Sequence, residues 1–76
     1  MPRIAEIDGI IISINFDDHA PPHFHARYQS ESISMEIETG RVIGRMRARN
    51  LNKVEIWRNN NLAYLRAKWI EYGGAQ

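Results

Sequence analysis

The three histidines of the chain, His19, His23 and His25, fall within seven residues, beside Asp17, Asp18 and Arg27 and around the Pro21-Pro22 pair. Two imidazoles and a guanidinium are the parts a small ribonuclease needs: a base for the 2′-hydroxyl, an acid for the leaving oxygen and a cation for the phosphate. In that reading His23 and His25 are acid and base, Arg27 stabilises charge and His19 supports them. His-x-His is also a ligand spacing for zinc or a similar ion, because alternate positions of a strand aim both imidazoles the same way. Asp17, Asp18, His19, Glu36 or Glu38 could complete such a set. The sequence fixes no third ligand, so no metal and no cofactor is assigned; if an ion is held, His19, His23 and His25 are its candidates. In a third reading the imidazoles bond to Glu36, Glu38 and loop carbonyls, making a polar sheet face or a partner-binding surface. A solvent-facing His–Glu pair is worth less than about 1 kcal/mol, so stability alone is a weak reason for histidines there.

These side chains need a strand to aim them. His23, His25 and Arg27 alternate with Phe24, Ala26 and Tyr28, the period of a half-buried strand over about His23 to Gln29. The two prolines fix φ and remove donors, which predicts a stiff, extended lead-in. A fourth strand is expected over about Ser32 to Glu38, with Gln29 to Glu31 as a polar turn. Matching apolar faces sets Tyr28 near Ile33, Ala26 near Met35 and Phe24 near Ile37, and so His25 beside Glu36 and His23 beside Glu38.

Asp8-Gly9 between Ile7 and Ile10 signals a two-residue type I′ hairpin, joining strands at about 3 to 7 and 10 to 16. Ile7 then faces Ile10, Ala5 faces Ile12, and Ile14 and Phe16 extend the same wall of the core. Ile4 and Ile11 lie on the other side, an apolar patch that suits a homodimer. Val42-Ile43-Gly44 reads as a short fifth strand. Beyond it the period becomes helical, with Asn50 or Asn52 as cap, and helices are predicted over about 51 to 59 and 62 to 72, broken by Asn59-Asn60-Asn61 and stopped by Gly73-Gly74. Trp57 and Trp69 are core anchors. The expected fold is α+β: a four- to five-stranded antiparallel meander followed by two C-terminal helices on one face.

The 76 residues suit one domain spanning 1–76, near the size where folding buries only about 60% of the unfolded surface. With no cysteine, neither disulfides nor thiolate ligands reinforce it, which fits a reducing, cytoplasmic setting. No signal-peptide pattern and no apolar run near the roughly 18 residues of a membrane span is present. Charge is split: residues 1–40 carry a net −5 and residues 41–76 a net +6. Arg45, Arg47 and Arg49 alternate as on an extended arm and, with Lys53, could contact nucleic-acid phosphates or an acidic partner.

Met1-Pro2, the strand leading to Asp8-Gly9-Ile10, the run from Asp18 to Tyr28 with its Pro21-Pro22-His23-Phe24-His25-Ala26 core, and Ile37-Glu38-Thr39-Gly40 together resemble the small bacterial proteins of the domain-of-unknown-function 4160 family. The resemblance spans nearly the whole chain. It implies a gene beside that of a second small protein, in an arrangement similar to toxin–antitoxin modules, but no catalytic residues. Arg66 and Lys68 depart from the more acidic second helix expected of such members. The leading expectation is an interaction component of a toxin–antitoxin-like module that binds a cognate small protein, with nucleic acid as a further candidate ligand of its basic half. The rival is a ribonuclease-type toxin working through His23 and His25.

Overall fold

A computed structural model describes residues 2–75. Five strands, β1 (Arg3–Ile7), β2 (Ile10–Ser13), β3 (His23–Tyr28), β4 (Glu31–Glu36) and β5 (Val42–Arg45), precede α1 (Ala48–Asn60) and α2 (Leu62–Glu71). All neighbours are antiparallel and sheet order follows chain order, the expected meander. No helix among the described residues is long and apolar enough to cross a membrane.

The Asp8-Gly9 turn forms as its sequence requires, with φ of 47° and 85°, and it sets Ile7 opposite Ile10 and Ala5 opposite Ile12. One face of the sheet carries Ile10, Ile12, Phe24, Ala26, Ile33 and Met35, all buried with Ile14 and Ile37. Val54 of α1 and Leu65 and Trp69 of α2 close over them. Trp69 is buried and Trp57 half-buried against the same cluster, in the anchoring roles their spacing suggested.

Four expectations are corrected. The β3–β4 turn is the two-residue Gln29-Ser30, with Gln29 at φ 53°, and Glu31 belongs to β4. This shifts the pairing by two residues: His23 faces Glu36, Phe24 faces Met35 and His25 faces Ser34. The face is kept, since side chains alternate with period two. Next, β2 ends at Ser13, and Asp17 turns the chain away at φ 51°. Phe16 is therefore 64% exposed, resting edge-on against Tyr72 at 5.1 Å. A bulge between Arg3 and Ala5 accommodates Ile4, which packs towards the core while its carbonyl accepts the Tyr64 hydroxyl at 2.7 Å. Ile4 and Ile11 thus form no common patch.

The last correction concerns the basic tract. Arg45 ends β5, whereas Arg49 lies in the first turn of α1. The N-cap is Arg47, not Asn50 or Asn52, and its side chain makes no cap bond. Glu31 acts there from β4: its carboxylate accepts from Arg47 N, Arg47 Nε and Asn50 Nδ2 at 3.4, 3.0 and 3.4 Å. A carboxylate at a helix N-terminus satisfies free N–H groups and complements the dipole. At the other end Asn61 alone separates the helices, its side chain donating to Trp57 O at 2.8 Å.

Candidate functional site

With the helices on one face, the second face of the sheet stays open. Directly paired residues share a face, so Ser13, His25, Ser34 and Ile43 form one row across it. Ile11, Arg27, Ser32 and Arg45 form the next row. His23 and Glu36 begin a third at the end of the sheet where the loop from β2 to β3 arrives. Ile43 is 61% exposed here. A cavity of about 270 Å³ lies over the histidine end, lined by His19, His23, His25, Glu36, Arg41 and Ile43 among others. A second, of about 390 Å³, shares His25, Ser34 and Ile43 and continues beneath Arg27.

The loop from Ile14 to Pro22 places an acid among the imidazoles. Its backbone is held by the C-terminal segment: Asp17 N donates to Tyr72 O at 2.8 Å, and Ala75 N donates to Asp18 O at 2.9 Å. That segment is in turn fixed by Trp69 Nε1, which donates to Ala75 O at 2.9 Å. Gly74 lies so close to the Trp69 ring that a Cβ there would overlap it. Gly73-Gly74 therefore does more than stop α2; it lets the chain cross the indole and hold Asp18.

Asp18, 12% exposed at its side chain, divides its oxygens. Oδ1 accepts the His19 N–H at 2.8 Å and lies 2.9 Å from His19 Nδ1. Oδ2 is 3.0 Å from His23 Nε2 and 3.9 Å from His25 Nε2. Asn15 Nδ2 donates to Oδ2 at 3.3 Å and lies 3.3 Å from His25 Nε2. The three histidine rings follow one another at centroid distances of 5.5 and 5.2 Å, and Trp69 backs His23 at 5.3 Å.

Both nitrogens of His23 face acceptors, since Nδ1 is 2.8 Å from Pro21 O. A neutral ring carries one N–H and fills one of these contacts; the other needs a proton or a cation at Nε2. Burial of Asp18 opposes its ionisation, but the His19 N–H, the facing His23 and the Asn15 amide outweigh it and hold the carboxyl below its ordinary value of 3.8. Burial, helped by the neighbouring His23, holds His25 below its ordinary 6.5 against the pull of Asp18.

The two glutamates expected over the histidines do not both stand there. Glu38 turns to the helix layer, where Arg66 grips it with two hydrogen bonds of 2.8 and 2.7 Å that hold its carboxyl below the ordinary range. Glu36 stays in the cavity with Arg41 Nη1 at 3.6 Å and the Thr39 hydroxyl donating at 2.9 Å. Arg27 shares the open face with His23 and His25, one row on from His25, and lines the second cavity with it but not the first. Arg41 takes its place in the first. His19 lines that cavity with its side chain 85% exposed, so the Pro-Pro corner brings it back over the histidine face. Of the basic set, Arg45 lies on the open face, Arg47 is bound to Glu31, Lys53 pairs with Asp8 at 3.2 Å, and Arg49 is exposed on α1.

Asn15, Arg41 and Trp69 went unread as site residues. Asn15 stands three residues before Asp18, and Arg41 follows the Thr39-Gly40 turn; both signals are local and common. The family described as a domain of unknown function, DUF4160, matches residues 9–70. The chain belongs to this family. The match in this DUF4160 protein takes in the Asp18 loop, the histidine strand and Arg41, while the segment after Tyr72 that holds the loop lies beyond it. A search of the curated proteins and of the solved structures finds no match.

Proposed function

We propose that this DUF4160 protein is the ribonuclease-type member of a toxin–antitoxin-like pair, acting on single-stranded RNA laid along the open sheet face. The observation that carries the reading is the convergence of His19, His23, His25 and Arg41 on one cavity that continues under Arg27. Arg41 and Arg27 would neutralise successive phosphates, and Ile43 would offer an apolar surface to a base. Glu36 carries Arg41 and a hydroxyl, and Glu38 faces away, so repulsion of phosphate is weaker than the sequence suggested.

In the reaction the 2′-oxygen forms a bond to the adjacent phosphorus as the P–O5′ bond breaks, leaving a cyclic phosphate and a 5′-hydroxyl. One proton leaves the 2′-hydroxyl and one reaches the departing oxygen. His19, with Nδ1 on Asp18 and its exposed ring lining the cavity, carries one of these transfers. The half-buried cluster of Asp18, His23 and His25 is the centre at which the phosphate reacts.

The test is cleavage of end-labelled single-stranded RNA by the full chain. His19→Ala should lower the rate about 100-fold. Arg41→Ala should weaken binding and reduce the salt dependence by about one ion. Intact RNA with the wild type, or wild-type rates in both variants, would remove the proposal. The interaction reading keeps one specific support: Arg45 and Arg49 are exposed, with no ion-pair partner among the described residues. If it holds, Arg45→Ala with Arg49→Ala weakens binding of a cognate small acidic protein and leaves RNA cleavage unchanged.

A further inference from the structure

Three potential ligand atoms, Asp18 Oδ2, His23 Nε2 and His25 Nε2, lie within 4.8 Å of one another at the inner wall of the first cavity. The outer atoms of two of these ligands are already engaged. His23 Nδ1 is fixed on Pro21 O at 2.8 Å. Asp18 Oδ1 is fixed by the His19 N–H at 2.8 Å and by the His19 ring. Ligating imidazoles characteristically give their second N–H to a backbone carbonyl, which sets the tautomer and turns the other lone pair to the metal. Asp18 likewise has one oxygen taken and one turned inward.

At the point they face, the Asn15 amide nitrogen lies 3.3 Å from both Asp18 Oδ2 and His25 Nε2. One carboxylate oxygen and two imidazole nitrogens therefore converge on one point. We infer that Asp18, His23 and His25 form a binding site for one divalent first-row transition ion, with zinc as its simplest occupant. A tetrahedral ion with bonds of about 2.0–2.1 Å holds its ligand atoms roughly 3.3 Å apart, and the Asp18 contacts of 3.0 and 3.9 Å bracket that spacing. Two imidazoles with one carboxylate suit zinc, iron or nickel, and are a poor set for magnesium or calcium. Binding displaces the Asn15 donor. Three protein ligands beside a cavity leave a position open, the pattern of a reactive metal and not of a closed structural one. His19 stays outside the ligand set, on the other oxygen of Asp18, and the histidine triple first suggested by the sequence is replaced by two histidines and an aspartate.

The location of the ion depends on these residues alone, while its use on RNA rests on the proposed function. The experiment is calorimetric titration of zinc chloride into the full, untagged chain after chelator treatment and dialysis, with Trp69 emission followed in parallel using Co²⁺, whose open d shell quenches a nearby indole. One ion per chain is expected. Affinity should fall about tenfold or more in Asp18→Asn and in His25→Gln, and remain within about threefold of wild type in Arg49→Ala, a residue of α1 that neither ligates nor fixes a ligand. Circular dichroism at matched conditions shows whether each variant is folded, and His25→Gln serves where Asp18→Asn is not. Absence of binding at millimolar zinc, or equal affinity in His25→Gln and wild type, overturns the inference and leaves His23 and Asp18 as a plain ion pair. RNA cleavage in a chain that binds no zinc would overturn the inference while sparing the ribonuclease reading; stoichiometric zinc without cleavage would do the reverse.

Discussion

Asp18→Asn in chelator tests how the site is held. Asparagine keeps the size and one oxygen for the His19 N–H but puts an amide NH₂ where Oδ2 faces His23 Nε2 at 3.0 Å. The charge that receives His23, His19 and Asn15 is lost inside a loop whose Asp18 side chain is only 12% exposed. A hydrogen bond to a charged group contributes about 1.5–3 kcal/mol, so a loss near 2 kcal/mol is expected at neutral pH. For a domain of this length that lowers the melting temperature by roughly 8–16 °C. The pH dependence gives a sharper signature. Asp18 has a folded pKa below its unfolded value of about 3.8, so its contribution is full above that value and disappears as pH falls through the lower folded one. Melting curves of wild type and variant, followed by circular dichroism, should run parallel above pH 5 and converge below pH 4. An offset unchanged from pH 7 to pH 3, or no offset at neutral pH, would refute the reasoning.

Three further outcomes follow from the same geometry. Arg58→Ala removes a buried guanidinium that donates to Ile37 O at 2.7 Å and to Glu55 and Asn59; stranding that carbonyl should cost about 3 kcal/mol in a urea unfolding curve. Gly44→Ala, at φ 106° with a new Cβ 2.7 Å from Ser32 O, should cost more than about 1 kcal/mol and speed amide exchange across β4 and β5, whereas unchanged exchange would contradict the close approach. Because burial depresses His25 below 6.5, its ring should titrate at lower pH than a histidine peptide in chelator-treated protein, seen by ¹⁵N chemical shift. The unfolded chain then takes the proton first, so stability attributable to His25 is full above about pH 6.5 and is lost as pH drops through its folded value.

Much of the fold is written in short-range pattern. Asp8-Gly9 dictates the first hairpin, the Phe24-Ala26-Tyr28 alternation sets which face of β3 is buried, and the change to helical period after residue 50 separates sheet from helices. The β3–β4 register is less legible, because Gln29, Ser30 and Glu31 are all acceptable turn residues and a shift of two keeps every apolar contact type. That shift decides whether Glu36 or Glu38 stands beside His23. The histidines announce a site, yet its organising residue is Asp18, and nothing local distinguishes it from Asp17. What selects it is the segment after α2, where Gly74 crosses Trp69 and Ala75 binds the Asp18 carbonyl, a contact across more than fifty residues that periodicity cannot express. Arg41 is hidden for the same reason: its role depends on which glutamate the register puts next to it.

The most direct test of the functional account is a ¹H–¹⁵N titration of the full chain with a short single-stranded RNA. Shift changes should gather on His25, Ser34 and Ile43, the shared lining of the two cavities, and on Arg41 of the first, and spread towards Arg27 as the RNA is lengthened. Changes confined to the exposed helix residues Ile56, Tyr64 and Ile70, or none at millimolar RNA, would contradict it.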